Sequence, residues 1–325
     1  MSAVTLANGR TFDARLDETM LEAARREGIV LEHSCRTGRC GVCKAPVLAG
    51  ETRTLGSEEA LTAAEQAQGL VLTCARAAVT DVSLGIEDLG RLAEIRVRTL
   101  PARIDSLEAL APDVLRVMLR MPPGTGFDYL PGQYIDVIAS SGARRSYSLA
   151  GAPRADGKLE LHIRQVPGGE LSTWWFGTAK ADDLLRFEGP FGTFHRRDKA
   201  LVTIFMVTGT GYAPARAMLQ ELTVQNVTDP VWLYWGGRRP ADHYDSVQFP
   251  GLDLHYVPVL SRAGVEWQGR RGHIQEAVLA DHHDLSCTVV YACGSDAMIH
   301  SARECLQAAG LLAGHFHSDA FVASN

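Results

Sequence analysis

Residues 34–43 read Ser34-Cys35-Arg36-Thr37-Gly38-Arg39-Cys40-Gly41-Val42-Cys43, and Cys74 follows after thirty further residues. Three thiols set as C-x4-C-x2-C with one distant partner form the plant-type spacing for a [2Fe–2S] cluster held between two pairs of thiolates. Cys35, Cys40, Cys43 and Cys74 are therefore the candidate metal ligands. Gly38 and Gly41 let the backbone wrap so that its N–H groups turn toward the sulfurs. Arg36 and Arg39 offset part of the charge of a thiolate-bound centre. A structural zinc is the competing reading, although zinc favours two short C-x2-4-C knuckles and only one such pair is present.

Around this loop the chain reads as a small α+β unit. Asn8-Gly9 is a hairpin turn signal between predicted strands at Val4–Leu6 and Thr11–Ala14. Thr19 with Glu22 makes a capping box ahead of a helix that Gly28 stops, and Thr62 with Glu65 repeats the device before Gly69. The apolar run Leu70-Val71-Leu72 then delivers Cys74. Strand, helix, cysteine loop, short helix and return strand suggest a β-grasp arrangement over residues 1–90.

Residues 91–100 read as a linker. From 101 to 198 short alternating runs such as Val114–Leu119, Tyr134–Ile138 and Leu159–Ile163 are separated by Pro and Gly turns, which suits an antiparallel β-barrel. From 199 to 325 the pattern changes. Apolar strands at Leu201–Val207, Val231–Trp235, Leu254–Val259 and Thr288–Ala292 alternate with helical stretches, as in a parallel, doubly wound α/β sheet. The expected fold is thus multidomain: α+β, β-barrel and α/β in succession.

Composition narrows the function. A net charge of −6 argues against nucleic acid as a partner. Residues 1–90 hold 9 basic and 13 acidic side chains, so most of the acidic excess sits with the cysteine-rich unit and could steer a basic partner. No apolar run reaches membrane-spanning length, and Met1 to Arg10 lacks the pattern of a secretion signal. Of seven cysteines, four are committed to the metal loop, and an odd remainder without a signal points to a reducing, cytoplasmic setting.

Four further motifs carry chemistry. In Arg145-Ser146-Tyr147-Ser148 strand alternation puts Arg145 and Tyr147 on one face and Ser146 and Ser148 on the other. Arg145 suits a pyrophosphate, Tyr147 an isoalloxazine or ribityl chain, and Ser148 the reactive edge of a flavin. Gly168-Gly169-Glu170-Leu171-Ser172 opens a helix whose free N–H groups suit phosphate oxygens; Trp174 and Trp175 after it read as core packing. Thr208-Gly209-Thr210-Gly211-Tyr212-Ala213-Pro214, between a strand and the predicted helix Ala215–Val224, is a phosphate-binding turn. Ala292-Cys293-Gly294-Ser295 closes another strand in the same way, which places Cys293 at the crevice or, equally, in the core as a small hydrophobe.

In their order and spacing these motifs resemble the ferredoxin–NADP reductase superfamily fused to a plant-type ferredoxin, over essentially the whole chain. The resemblance implies FAD on Arg145, Tyr147, Ser148, Gly169, Leu171 and Ser172, with His162, Ile163 and Arg164 beside it. It places the nicotinamide nucleotide on Gly209, Thr210, Gly211, Arg238, Cys293 and Gly294. Ser148 and Cys293 become the catalytic candidates, and Phe321 an aromatic ring near the flavin. Leu130-Pro131-Gly132-Gln133-Tyr134, Arg144 to Ala150 and Ser318-Asp319-Ala320-Phe321-Val322 are similar to the CDP-6-deoxyglucoseen reductases. Reductase components of ring-hydroxylating oxygenases share the architecture. The implied partner is a protein electron acceptor, either a dehydrase or an oxygenase component. The implied donor is NADH, with NADPH left open by Gly236-Gly237-Arg238-Arg239. Thr208 departs from the glycine that many members carry before the Thr-Gly pair or its equivalent.

Overall fold

The computed structural model describes residues 1–197 and 202–321, in two compact units, Met1–Arg96 and Val97–Phe321. In the first, strand Ser2–Thr5 pairs antiparallel with Thr11–Ala14 around the Asn8-Gly9 turn. The strand lies slightly earlier than the predicted Val4–Leu6, because Leu6 is drawn into the hairpin end, its N–H donating to Arg10 O at 2.8 Å. Val82–Leu84 joins Ser2–Thr5 in parallel and Lys44–Ala49 antiparallel, giving a mixed five-stranded sheet. Helix Met20–Arg26 buries Met20, Leu21, Ala23 and Ala24 against Val4, Leu6 and Phe12. Both predicted capping boxes form, Thr19 with Glu22 and Thr62 with Glu65. Residues 91–100 contain the end of a short helix, Gly90–Ala93, and the beginning of the long strand Arg98–Ala111.

The second unit starts with a six-stranded antiparallel sheet, ordered Arg144–Ser148, Tyr134–Ile138, Leu184–Phe191, Arg98–Ala111, Val114–Arg120, Leu159–Arg164. An antiparallel bridge between Leu149 and Leu161 joins its two edges, so the sheet closes on itself as a barrel. Ile104, Val117, Leu161, Trp175 and Phe187 fill the interior.

A six-stranded parallel sheet follows, ordered Arg270–Arg271, Leu254–Leu260, Val231–Gly237, Val202–Thr208, Thr288–Ser295, Phe316–Phe321. Sequence order reverses between Val202–Thr208 and Thr288–Ser295, and the carboxyl ends of strands at such a switch point open a ligand crevice. Helix Tyr212–Val224 begins three residues before the predicted Ala215, because Gly209–Gly211 forms a 3₁₀ turn that runs directly into it. Pro214 sits in its first turn, where a missing N–H costs nothing. Leu201 of the predicted strand, the boundary at 198 and 199, and Val322 lie outside the described residues.

Candidate functional site

The cysteine loop turns backbone amides toward Cys35 and brings two of the four sulfurs close together. Thr37 and Cys40 each donate a backbone N–H to Cys35 Sγ at 3.4 Å, and Cys43 and Cys74 sulfurs stand 3.1 Å apart. Cys35 and Cys40 share a side-chain hydrogen bond that pulls the Cys35 thiol down and pushes the Cys40 thiol up, so the two act as a pair. Gly38 has φ +77°, and a Cβ there would lie 1.7 Å from Ser57 O, so the loop tolerates no side chain at this position. Segment 57–60 covers the loop and is anchored by Arg76, whose Nε and Nη2 each donate to Glu58 at 2.9 Å. All four thiols are free of disulfides, and the donor set fits a thiolate-bound cluster.

In the barrel, Arg144–Ser148 presents Arg145 and Tyr147 half-buried and Ser148 buried. Ser146 donates to Asp136 Oδ1 on the neighbouring strand at 2.6 Å. Tyr147 accepts from Trp175 Nε1 at 3.2 Å, and burial pushes its phenol up to about 12, so it stays a neutral ring. Trp175 itself is core, 2% exposed. Gly169 caps helix Glu170–Gly177 without a side-chain bond, which leaves first-turn amides available to an anion. Ser172 Oγ accepts from Val166 N at 2.7 Å, bending the preceding loop over that helix end.

At the switch point, Val207 pairs with Cys293 and the two strand ends almost touch. A Cβ on Gly211 would lie 2.3 Å from Cys293 O, and one on Gly294 would lie 2.1 Å from Thr208 Oγ1. These glycines let two backbones close around a cradle whose helix amides face outward, a fit for a dinucleotide phosphate. Arg164 reaches the same turn, its Nη1 3.5 Å from the point where a Gly209 Cβ would stand.

The 2Fe-2S iron-sulfur cluster binding domain matches residues 4–79, the oxidoreductase FAD-binding domain 101–196, and the oxidoreductase NAD-binding domain 205–304. The CDP-6-deoxy-L-threo-D-glycero-4-hexulose-3-dehydrase reductase of Yersinia pestis is 41% identical, over 98% of this chain and 97% of its own. The chain belongs to the ferredoxin–NADP reductase superfamily. Reductase component 2 of terephthalate 1,2-dioxygenase from a Comamonas species is 32% identical, over 96% of this chain and 94% of its own. Among solved structures, the cytochrome P450 reductase of Amycolatopsis superposes with TM-score 0.77 at 30% identity, covering 99% of both chains.

The reductase is an NAD(P)H-dependent oxidoreductase that carries FAD and a [2Fe–2S] cluster, which sets zinc aside. No helix among the described residues is long and apolar enough to cross a membrane.

The reductase brings Gly209, Thr210, Gly211, Gly294 and Arg164 together at one crevice. Phe321 pairs with Ser295 at the same end of the sheet and is 38% exposed. Arg238 follows the adjacent strand, and its Nε lies 3.6 Å from Asp242. Other expected residues are turned inward. Cys293 is fully buried in the core beside Val207 and Tyr291, and burial, reinforced by Asp319, pushes its thiol well up. It meets the crevice with its backbone rather than with a thiolate. Ile163 and Leu171 side chains pack in the barrel interior, so a ligand reaches only their main chain. His162 has both ring nitrogens occupied, Nδ1 by Tyr244 Oη and Nε2 by Glu160, each at 3.1 Å. Sequence reasoning missed Glu160, Arg216 and Asp245. The one available signal was a carboxylate and an imidazole two apart, on one face of the alternating run Leu159–Ile163.

Proposed function

We propose that this reductase draws electrons from NADH and delivers them to a sugar-nucleotide dehydrase in 3,6-dideoxyhexose synthesis. The observation that carries this is the 41% identity, across nearly the full length, to the dehydrase reductase of Yersinia pestis. When bound, FAD would supply the exchange between the two electrons of one hydride and the single electrons that the cluster relays. The chain's own task is to bind and align. Arg145 grips the flavin pyrophosphate, with the amides of Gly169, Leu171 and Ser172 at the helix start as further donors. Tyr147 packs a neutral ring on the flavin, and Ser148 offers its hydroxyl to the reacting edge. The Gly209–Gly211 turn and the Cys293-Gly294 backbone seat the nicotinamide nucleotide, with Arg164 leaning on the turn and Arg238 toward the adenosine. Phe321, paired with Ser295 at the same strand end, offers its ring to the flavin. Cys35, Cys40, Cys43 and Cys74 ligate the cluster.

A second reading, reductase of an oxygenase, is favoured by the 32% identity to the terephthalate dioxygenase component and by the P450 reductase superposition at TM-score 0.77. Reconstitution separates the two. Mixed with NADH and a CDP-6-deoxy-L-threo-D-glycero-4-hexulose-3-dehydrase, the reductase is expected to support turnover of the hexulose. Failure there, with NADH-driven oxygen consumption in the presence of a terephthalate-type oxygenase, would establish the second reading instead.

A further inference from the structure

Two arginines and two carboxylates close a ring between the barrel and the parallel sheet. Arg116, on strand Val114–Arg120, donates through Nη2 to Asp245 Oδ1 at 3.2 Å. Arg216, on helix Tyr212–Val224, donates through Nη1 to Glu160 Oε2 at 3.2 Å. The remaining two sides are ion pairs without hydrogen-bond geometry, Arg116 with Glu160 at 3.2 Å and Arg216 with Asp245 at 3.4 Å. Both hydrogen-bonded sides therefore cross between barrel and sheet, and both purely Coulombic sides lie within one of them. The carboxylates are nearly sealed, with side chains 6% exposed for Glu160 and 9% for Asp245.

The ring sits on the elements that carry both reacting partners. Arg216 lies five residues beyond Gly211, at the end of the glycine turn, and its Nη1 also donates to Ala150 O at 2.8 Å. Gln220, one helical turn further, accepts from Ala152 N at 2.9 Å. Ala150 and Ala152 lie two and four residues beyond Ser148, the end of the Arg144–Ser148 strand. One helix thus grips the exit of the flavin strand while its own start forms the nucleotide turn. Glu160 meanwhile holds His162, which is tied to Tyr244 in the loop beyond strand Val231–Gly237.

We infer that the Arg116–Glu160–Arg216–Asp245 ring is a positioning device for hydride transfer, setting the nicotinamide turn against the flavin strand. Stability alone does not account for it, because buried ion pairs are often no better than apolar residues of equal volume. Alignment does, since small displacements of reacting atoms cost large factors in rate. The inference rests on the reductase chemistry and is independent of which protein accepts the electrons.

The test uses the FAD-loaded protein with NADH and no acceptor, so a wrong dehydrase assignment leaves it untouched. Asp245→Asn and Glu160→Gln are followed by stopped-flow bleaching of the flavin. Each is expected to lower the limiting reduction rate about tenfold, as modest misalignment would, with the NADH dissociation constant within twofold and FAD content unchanged. Hydrogen exchange supplies a second readout: the amides of Ala150, Ala152 and helix Tyr212–Val224 should exchange faster. Arg116→Lys, which keeps the charge but loses the fork, should fall between variant and parent. It also serves as the test if either carboxylate variant fails to fold. A limiting rate within twofold of the parent in the folded variants overturns the inference. So does a rate loss accompanied by a matching rise in the NADH dissociation constant or by loss of FAD.

Discussion

Thr208 Oγ1 accepts a hydrogen bond from the Ser295 amide at 3.1 Å, tying together the two strand ends that flank the switch point. The hydroxyl occupies the space that a Gly294 Cβ would need, 2.1 Å away. Thr208 therefore does not crowd the crevice. Its side chain is complementary to the side chain that Gly294 lacks.

Thr208→Val keeps the shape and removes the acceptor. Loss of one hydrogen bond to a solvent-accessible amide should cost about 1 kcal/mol. For a unit of this size that lowers the melting temperature by roughly 2–4 °C, and KM for NADH should rise severalfold as the two loops separate. Calorimetry and steady-state kinetics check both; an unchanged melting point would mean that the bond contributes nothing.

Cys40→Ser removes one of four cluster ligands from the Met1–Arg96 unit, while flavin and nucleotide residues belong to the other. Visible absorption and iron content should show loss of the cluster. NADH-to-ferricyanide activity should persist within about twofold, because that path ends at the flavin. Loss of both together would contradict the separation into units.

Asp242 Oδ2 accepts from the backbone N–H of Arg238 at 2.6 Å and of Arg239 at 3.1 Å. Burial opposes its ionisation, but these amides and the Arg238 charge together hold the carboxyl below its ordinary value. A fixed anion beside the arginines should repel a ribose 2′-phosphate placed there. Asp242→Ala should raise the NADPH to NADH ratio of kcat/KM about tenfold, equivalent to about 1.4 kcal/mol. Paired kinetics with the two donors would refute this if the ratio stays put.

Acid should weaken the larger unit through His162. Burial, with the Arg216 charge adding, depresses its folded-state pKa despite the opposing pull of Glu160. Neutral His162 donates Nε2–H to Glu160 and accepts from Tyr244, an assignment set by its partners. A base with a lowered folded pKa stabilises fully above its unfolded value, about 6.5. That stability is lost as pH falls from there toward the folded value, because the unfolded chain takes up the proton first. Glu160, also depressed, adds a second loss below its own unfolded range. Melting curves from pH 7.5 to 4.5 should show a falling melting temperature, with a shallower slope below pH 6.5 in His162→Gln. Parallel slopes would exclude His162 as the source.

Local signals carried well wherever the chemistry was local. Thr19 with Glu22 and Thr62 with Glu65 formed the capping boxes read from sequence, because a cap needs only residues three apart. The cysteine spacing led to the metal loop, and Gly209-Thr210-Gly211 to the turn at the switch point. Phase errors occurred where a partner set the boundary, as at Leu6 in the hairpin and Tyr212 at the helix start. Cys293 shows the other limit. Its position at a strand end is written in sequence, but whether its thiol faces crevice or core depends on the packing of Val207 and Tyr291 around it.

What the sequence determined by itself is the set of cofactors and the order of the three folding patterns. Spaced thiols, glycine turns and strand periodicity are short-range properties that need no partner from elsewhere in the chain. Only the tertiary structure decided which charges meet. Arg116 and Asp245 are 129 residues apart, and Arg216 and Glu160 are 56 apart. Each of these four reads alone as an ordinary surface charge. They become a ring only because the barrel and the parallel sheet close on each other, which leaves the two carboxylates little water to screen them.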